Sequence, residues 1–262
     1  MVESVIGEIR AATAAAGASL STTPQVIALP PGTTQVMLEG RNYSTAVVAQ
    51  VGLAPYLLVL KTADALATVT DYSEAAQDGD SATDVVLSSL DTLANGDALW
   101  LGANLPFRGV IVDVDAANAT ASTLAAHYWD GTEMTDLSPT DGSDSGGATM
   151  AQDGAITWTV PSDWVKAPLR EVAAAAGGVP FSRTPLYWAR LSVSAALDSS
   201  TTLNSLLALC RSTAYAELTS GRVLEAGVMR GVGGVAGVEA RTDAGTASLI
   251  VNVGVSGGSR LG

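Results

Sequence analysis

Any Ser-His-Asp chemistry in this chain would depend on His127, its only histidine. Asp130 or Asp113 would then orient the imidazole while a serine hydroxyl attacks the substrate. The sequence predicts no nucleophile elbow, which is a Gly-x-Ser-x-Gly turn between a strand and a helix. Because His127 stands beside Tyr128 and Trp129, we interpret it as a strand residue and predict no catalytic residues.

Cys210 is the only cysteine, so the chain cannot form an internal disulfide. One cysteine and one histidine, far apart in sequence, also cannot supply a zinc site of the usual ligand count. The surrounding residues, LLALCRS, are mostly apolar. This context predicts a buried, unreactive thiol rather than a nucleophile.

A pair of carboxylates, Asp113 and Asp115, lies two residues apart in an alternating segment, which would place both on one face of a strand. Glycoside hydrolysis needs two carboxyl groups at a set separation in a cleft. Tryptophans could line such a cleft, and the chain has five: Trp100, Trp129, Trp158, Trp164 and Trp188. We favour the alternative, in which the aspartates end a strand and the tryptophans fill a core that has only two phenylalanines.

Two loop segments have compositions typical of ligand sites. Asp141, Asp144 and Asp153 offer the oxygen ligands that calcium prefers, but the EF-hand spacing is absent, and we interpret them as turn residues. The segment 231–237, GVGGVAG, lacks the Gly-Lys-Ser/Thr of a phosphate-binding loop. We therefore predict no metal and no cofactor.

The charge balance restricts the partners of the chain. Its 262 residues include 26 acidic and 13 basic ones, a net charge of −13. Such a chain repels phosphate groups, so we exclude nucleic acid and anionic membranes as general partners. Charged residues make up only 15% of the sequence, which indicates either a surface that contacts other proteins or a GC-rich genome.

The beginning of the sequence does not resemble a secretory signal. Glu3 and Glu8 stand where such a signal carries basic residues. No apolar run approaches the length that spans a membrane. We expect the protein to be made and folded in a cytoplasm.

Hydrophobic periodicity predicts an all-β fold. Residues 3–16 have helical spacing and predict one short N-terminal helix. Afterwards the period changes to two, in short β-favouring runs separated by Gly, Pro and Asn turn signals. Many short strands at even spacing predict an antiparallel β-sandwich or jelly roll with extended terminal arms.

The segmentation predicted from these patterns has three parts. Residues 1–23 are a helix and arm, residues 24–218 a β-sandwich region, and residues 219–262 a glycine-rich set of strands or an arm. Within the second part, 169–185 is an insertion with room for one helical turn. The pattern of 201–218 fits either a helix or a strand with a bulge.

Four segments between Ala98 and Leu197 carry a resemblance to a known family. They are ALWLG, HYWDGTEMTDL, DGAITWTVPSDW and LYWARLSV, in that order. This region, 98–197, resembles a β-sandwich module of virion proteins of tailed bacteriophages, found in capsid decoration, tail and fibre proteins. Met134 departs from the pattern, which more often has Trp there, and the insertion 169–185 is longer than the family pattern.

The resemblance implies a non-enzymatic structural protein of the virion. Its partners would be the major capsid protein or other virion subunits, and we expect a homo-oligomer, with a trimer as the expected state. Capsid decoration is preferred over a tail position, because the chain has no coiled-coil shaft. The alternative is a module that binds host glycans through exposed aromatic residues. The hypothesis of a structural protein predicts a common buried core that contains Trp100, Trp158, Trp188 and Tyr187.

Overall fold

The computed structural model describes residues 9–63, 68–82, 85–88, 90–173, 183–213 and 215–255. All pairings between the named strands are antiparallel, which confirms the all-β prediction. In these ranges the helical elements are α1 (Leu169–Val172) and a 3₁₀ turn at Leu93–Asn95. None of the described helices is long and apolar enough to cross a membrane.

The two ends of the described chain form one β-sandwich, called here the first sandwich. One of its sheets contains β1 (Ile9–Ala11), β2 (Ala18–Leu20), β4 (Thr33–Arg41), β19 (Val223–Gly227) and β21 (Ala247–Val255). The other contains β3 (Gln25–Ala28), β5 (Ala49–Pro55), β18 (Ala216–Leu218) and β20 (Val235–Thr242).

The middle of the chain forms the second sandwich. Its larger sheet contains β6 (Leu57–Ala63), β7 (Thr68–Asp71), β9 (Ala98–Ala103), β11 (Leu124–Trp129), β12 (Met134–Asp136), β15 (Lys166–Pro168) and β16 (Pro185–Val193). The smaller contains β8 (Val85–Val86), β10 (Gly109–Ala116), β13 (Thr140–Asp141), β14 (Gly154–Thr157) and β17 (Thr202–Ala208).

Each sandwich has its own hydrophobic core, built by period-two alternation. In the first, Val36 and Val251 of one sheet pack with Val51 and Val238 of the other. In the second, residues such as Leu101 face the smaller sheet. Burying one apolar face of each strand in this way supplies the main stabilisation of a sandwich.

The grouping of the chain into two sandwiches differs from the three segments read from the sequence. Residues 24–55, assigned there to the central region, pair with strands that follow residue 215. The described residues of the 98–197 region lie inside the second sandwich. Period-two patterns identify strands but do not identify the strand with which each one pairs.

The N-terminal helix prediction is wrong for residues 9–16. Ile9–Ala11 is a strand that pairs with β21, and the Ala12 N–H donates to Val251 O at 2.8 Å. An Ala-rich face buries little apolar surface as a helix, whereas strand pairing satisfies its backbone and covers β21. Residues 1–8 lie outside the described residues.

The structure also corrects the prediction of an extended C-terminal arm. Most of residues 219–255 form β19, β20 and β21, and β21 lies inside its sheet between β4 and the pair β1 and β2. The strands predicted there are present, but they complete the first sandwich. An apolar strand such as β21 is most stable when both of its edges are paired.

Two local predictions are confirmed. The insertion 169–185 begins with the single helical turn α1. Of the two alternatives for 201–218, the strand is correct: β17 pairs with β10, and the register shifts twice between Asp113 and Ala116.

Candidate functional site

The tryptophans predicted to form a core are buried, but not in a common one. Trp158 is 6% exposed and lies between the two sheets of the second sandwich. Trp100 and Trp188 lie on the opposite face of the larger sheet, in a second apolar layer with Leu169 of α1. Alternation along β9 and β16 places these two rings outward, and α1 packs against the layer that contains them.

Tyr187 and Trp188 point to opposite faces of β16, as the alternation predicts. Tyr187 is half-buried and packs against the inner core, where its ring centroid is 6.1 Å from that of Trp164. The Trp188 indole N–H donates to Ala167 O at 2.8 Å. The ring of Trp188 lies against Gly102, where a Cβ atom would be 2.6 Å from it. Glycine is required at 102 because any larger residue would displace the indole.

The described strand partners of His127 include no nucleophile. Its cross-strand neighbours are Asp136 in β12 and Arg190 in β16. Burial and the charge of Arg190 lower the pKa of the imidazole, so it is neutral at pH 7. Asp130 instead holds a turn, accepting hydrogen bonds from the backbone N–H groups of Thr132 and Glu133. Those hydrogen bonds lower the pKa of the Asp130 carboxyl.

The other candidate carboxylates have local partners. Asp113 accepts from Asn204 Nδ2 at 3.1 Å, and Asp115 accepts from Thr202 Oγ1 at 2.9 Å, both across to β17. The two aspartates are exposed rather than set in a cleft lined by tryptophan. Four of the five tryptophans are buried, and Trp129 is half-buried.

The aspartates of the calcium hypothesis accept hydrogen bonds from backbone groups, in a turn for Asp141 and Asp144 and across to β10 for Asp153. The carboxylates of Asp141, Asp144 and Asp153 accept hydrogen bonds from the backbone N–H groups of Ser143, Gly147 and Val114. In the described part of the chain, no three His, Cys, Asp or Glu residues are grouped to hold a metal ion. The segment 231–237 makes a turn, closed by the Gly234 N–H to Gly231 O bond of 2.8 Å, and then enters β20.

A buried ion pair joins the two sandwiches, and sequence analysis did not identify it. Glu239 of β20 is fully buried, and Arg108 of the second sandwich donates two hydrogen bonds to its carboxylate, one of 2.9 Å and one shorter. Tyr215 O–H donates to the same carboxylate, as does the Cys210 N–H at 2.6 Å. The available signal was a glutamate that directly follows the apolar run VAGV of the same strand.

These contacts determine the protonation of the cluster. Burial raises the pKa of the Glu239 carboxyl, whereas the hydrogen bonds from Arg108 and Tyr215 lower it. The hydrogen bonds have the larger effect, so the pKa lies below its ordinary value of 4.5. Burial and the charge of Glu239 raise the pKa of the Cys210 thiol well above its usual range. The carboxylate is therefore ionised and the thiol protonated at neutral pH, and the ion pair between Arg108 and Glu239 connects one sandwich to the other.

A second polar contact lies at the same junction. The Arg230 side chain is 4% exposed; it donates to Glu74 at 2.5 Å and to Gln77 O at 3.0 Å. Tyr56 O–H donates to Glu74 at 3.0 Å. Beside these contacts Tyr56, Leu207 and Ala236 form a small apolar cluster that both sandwiches share, with half-buried Val26 and Ala28 against it. Together these contacts hold the two sandwiches in one arrangement.

One feature suited to binding is an apolar groove of about 450 Å³ at the side of the first sandwich, named here the edge groove. Buried side chains of Val36, Leu38 and Val51 form its floor. Leu53, which is 37% exposed, and Leu224 stand at its mouth. The remaining lining residues are Gly52, Ala216, Glu225 and Ala226.

Unpaired strand edges border the edge groove. β19 is the outer strand of its sheet, and β18 is the outer strand of the opposite one. β18 is short and pairs only with Ala49–Val51 of β5. From Gly52 to Pro55, β5 therefore has a partner strand, β20, on one side only among the described strands. Free backbone groups beside an apolar cavity can bind an added strand.

Comparisons with known proteins found no matching family model, no matching curated protein and no matching solved structure.

Proposed function

We propose that this protein is a non-enzymatic structural subunit of a tailed phage or phage-like particle, with capsid decoration preferred over a tail position. The observation that carries this proposal is the use of its aromatic residues. Trp100, Trp158, Trp164 and Trp188 are each at most 6% exposed and serve as core, not as a display surface. A subunit with an architectural role uses large aromatic rings in this way.

The distribution of polar residues supports the same proposal. The candidate acids and the histidine make hydrogen bonds or strand pairs within separate turns and strands, and the buried pair Arg108–Glu239 fastens two sandwiches. One exposed feature with binding geometry is the edge groove, which is apolar and bordered by strands that end their sheets in the described part of the chain. Such a groove fits a peptide segment of another subunit.

The resemblance of residues 98–197 to phage virion modules is the reason that this proposal places the protein in a phage or phage-like particle. The described residues of that region supply the strands β9 to β16, which contribute to both sheets of the second sandwich. The glycan-binding alternative requires several exposed tryptophans on one platform, and four of the five are buried.

The test is to purify particles from cultures of the strain that encodes the chain, through two density gradients, and to quantify its peptides by mass spectrometry. We expect a copy number comparable to that of the major capsid protein, and added density on the particle by electron microscopy. A deletion strain serves as the control for that density. Finding the chain only in the soluble fraction, or finding specific retention on a glycan array, would overturn the proposal.

A further inference from the structure

We infer that the edge groove binds residues 256–262 of a second copy of the chain, added as a strand along β19. This inference rests on the proposed function in one respect, namely that the protein acts by assembling with other subunits.

Among the described strands, β19 has a partner, β4, on one side only, which leaves its other side for such an addition. Its residues alternate between exposed and half-buried, with Leu224 and Ala226 toward the groove. It carries no Lys or Pro, the residues that commonly protect an edge from pairing, and its only charge is Glu225. A strand laid antiparallel along β19 would extend the sheet and close the mouth of the groove.

Pairing of β19 with β19 of another copy is disfavoured. A two-fold antiparallel arrangement centred on the strand would place Glu225 directly opposite the same Glu225. Like charges opposite each other across two strands are destabilising. The occupant should instead carry a basic residue at that position and an apolar residue next to it.

Residues 256–262, SGGSRLG, meet both requirements in one register. If Arg260 stands opposite Glu225, antiparallel pairing places Leu261 opposite Leu224 and Ser259 opposite Ala226. Opposed residues share a face of the sheet, so Arg260 and Glu225 lie on the outer face while Leu261 enters the groove. Charge and apolarity thus select the same alignment.

The chain's own segment is too short for this register. β21, β4 and β19 are successive strands, so a strand beyond β19 lies three spacings, roughly 14 Å, from β21. Val255 pairs with Thr33, whereas Gly227 and Ala226 pair with Gln35 and Val36, two and three residues further along β4. Val255 is therefore also displaced by about 7–10 Å along the strand direction from the position that Ser259 would occupy. The total is about 16–17 Å, whereas the four residue steps from Val255 to Ser259 span at most about 13–14 Å. A second copy has no such restriction.

The contact between copies is heterologous, because one copy supplies the segment and the other supplies the groove. Heterologous contacts generate closed rings or open chains of subunits. A closed ring of subunits around a local symmetry axis of a particle is one assembly that such contacts can form. The strand addition by itself does not set the number of copies.

The test uses disulfide trapping between purified copies. One copy carries Leu224→Cys and ends at Val255; the other is full length and carries Leu261→Cys. Directly opposed residues in antiparallel strands have Cα atoms about 4.5–5.5 Å apart, which suits a disulfide. We expect a mixed disulfide under mild oxidation, located by peptide mapping. The matched control, Met229→Cys in the truncated copy, is 63% exposed and outside the groove, and should not cross-link.

A second measurement follows association by sedimentation. Leu261→Asp should weaken it roughly tenfold to a hundredfold, since an apolar side chain leaves the groove. Arg260→Glu and Glu225→Arg should each weaken it, and the double variant should restore it. The inference would be overturned if the Met229→Cys control cross-links equally well. It would also be overturned by a disulfide within one chain that carries both cysteines, or by unchanged association of copies that end at Val255.

The proposed function and the groove assignment can be refuted independently of each other. A chain missing from purified particles would overturn the proposed function and leave the cross-link between copies intact. Purified copies that neither associate nor cross-link would overturn the groove assignment, whatever the particle analysis shows.

Discussion

Replacing Glu239 with Gln tests how the two sandwiches are held together. The carboxylate is fully buried and accepts hydrogen bonds from Arg108, Tyr215 and the Cys210 N–H. The amide keeps the shape of the side chain but removes the charge, and leaves the largely buried Arg108 guanidinium without an anion. Breaking a buried pair by removing one partner typically costs about 3–5 kcal/mol. We expect Glu239→Gln to destabilise the first sandwich by that amount.

The position of the tryptophans makes this effect measurable for each sandwich. All five lie between residues 57 and 209, in the second sandwich, so their fluorescence reports that sandwich alone. Far-UV circular dichroism reports both. In guanidinium chloride the variant should lose part of its dichroism about 1–1.7 M earlier than the wild type, for a slope of about 3 kcal/mol/M. The fluorescence transition should move less, because Arg108 becomes hydrated once the first sandwich unfolds.

The controls for this prediction come from the same network and from the surface. Glu217→Gln changes an exposed glutamate and should alter stability by less than about 0.5 kcal/mol. Arg108→Met combined with Glu239→Gln should cost less than the sum of the two single changes, because the pair is lost only once. If Glu239→Gln unfolds at the wild-type concentration in both probes, the ion pair does not fasten the sandwiches and our reasoning is refuted.

The same carboxylate predicts a pH dependence. The folded-state pKa of Glu239 is below its ordinary value of 4.5, so folding is favoured by ionisation of this group. This contribution is complete above about pH 4.5 and is lost as the pH falls through the folded-state pKa. The wild type should therefore lose first-sandwich stability below pH 4.5 more steeply than Glu239→Gln does. Equal slopes in denaturation curves from pH 6 to pH 3 would contradict the assignment.

Three further predictions concern single features of the fold. Trp158→Ala should cost about 3–5 kcal/mol, since it empties a core site, and a loss under 1 kcal/mol in urea denaturation would contradict that placement. Cys210 should not react with a thiol reagent in the native protein and should react fully in denaturant, because its thiol is buried and its pKa is raised. EDTA should leave the melting temperature within about 2 °C, and a drop of several degrees would show that Asp141, Asp144 and Asp153 bind a metal.

Part of this structure follows from short-range patterns in the sequence. Alternating runs separated by Gly, Pro and Asn turns predict antiparallel strands, and apolar neighbours predict burial of Trp100, Trp158 and Trp188. The single turn α1 also follows, since LREV favours a helix before the glycines of the insertion. These features depend on neighbouring residues, whose conformational preferences act wherever the strand is placed.

The edge groove could not be predicted in the same way. Leu53 and Leu224 have the alternation of ordinary inward strand residues. They remain accessible because β18 is only three residues long and β19 ends its sheet, which are properties of the assembled sheets. Likewise, a lone glutamate in β20 gives no indication of a partner 131 residues away at Arg108.

Which strands pair was decided by the tertiary structure alone. A period-two pattern shows that a strand has one apolar face, but any strand of similar pattern can cover it. Residues 9–16 illustrate the limit, because their local spacing favours a helix while pairing with β21, more than 230 residues later, satisfies more backbone groups. The sequence by itself determined the strand content, the turns and the burial of the large aromatic residues. The division into two sandwiches, the buried ion pair and the open groove depend on long-range pairing, whose energy no local pattern contains.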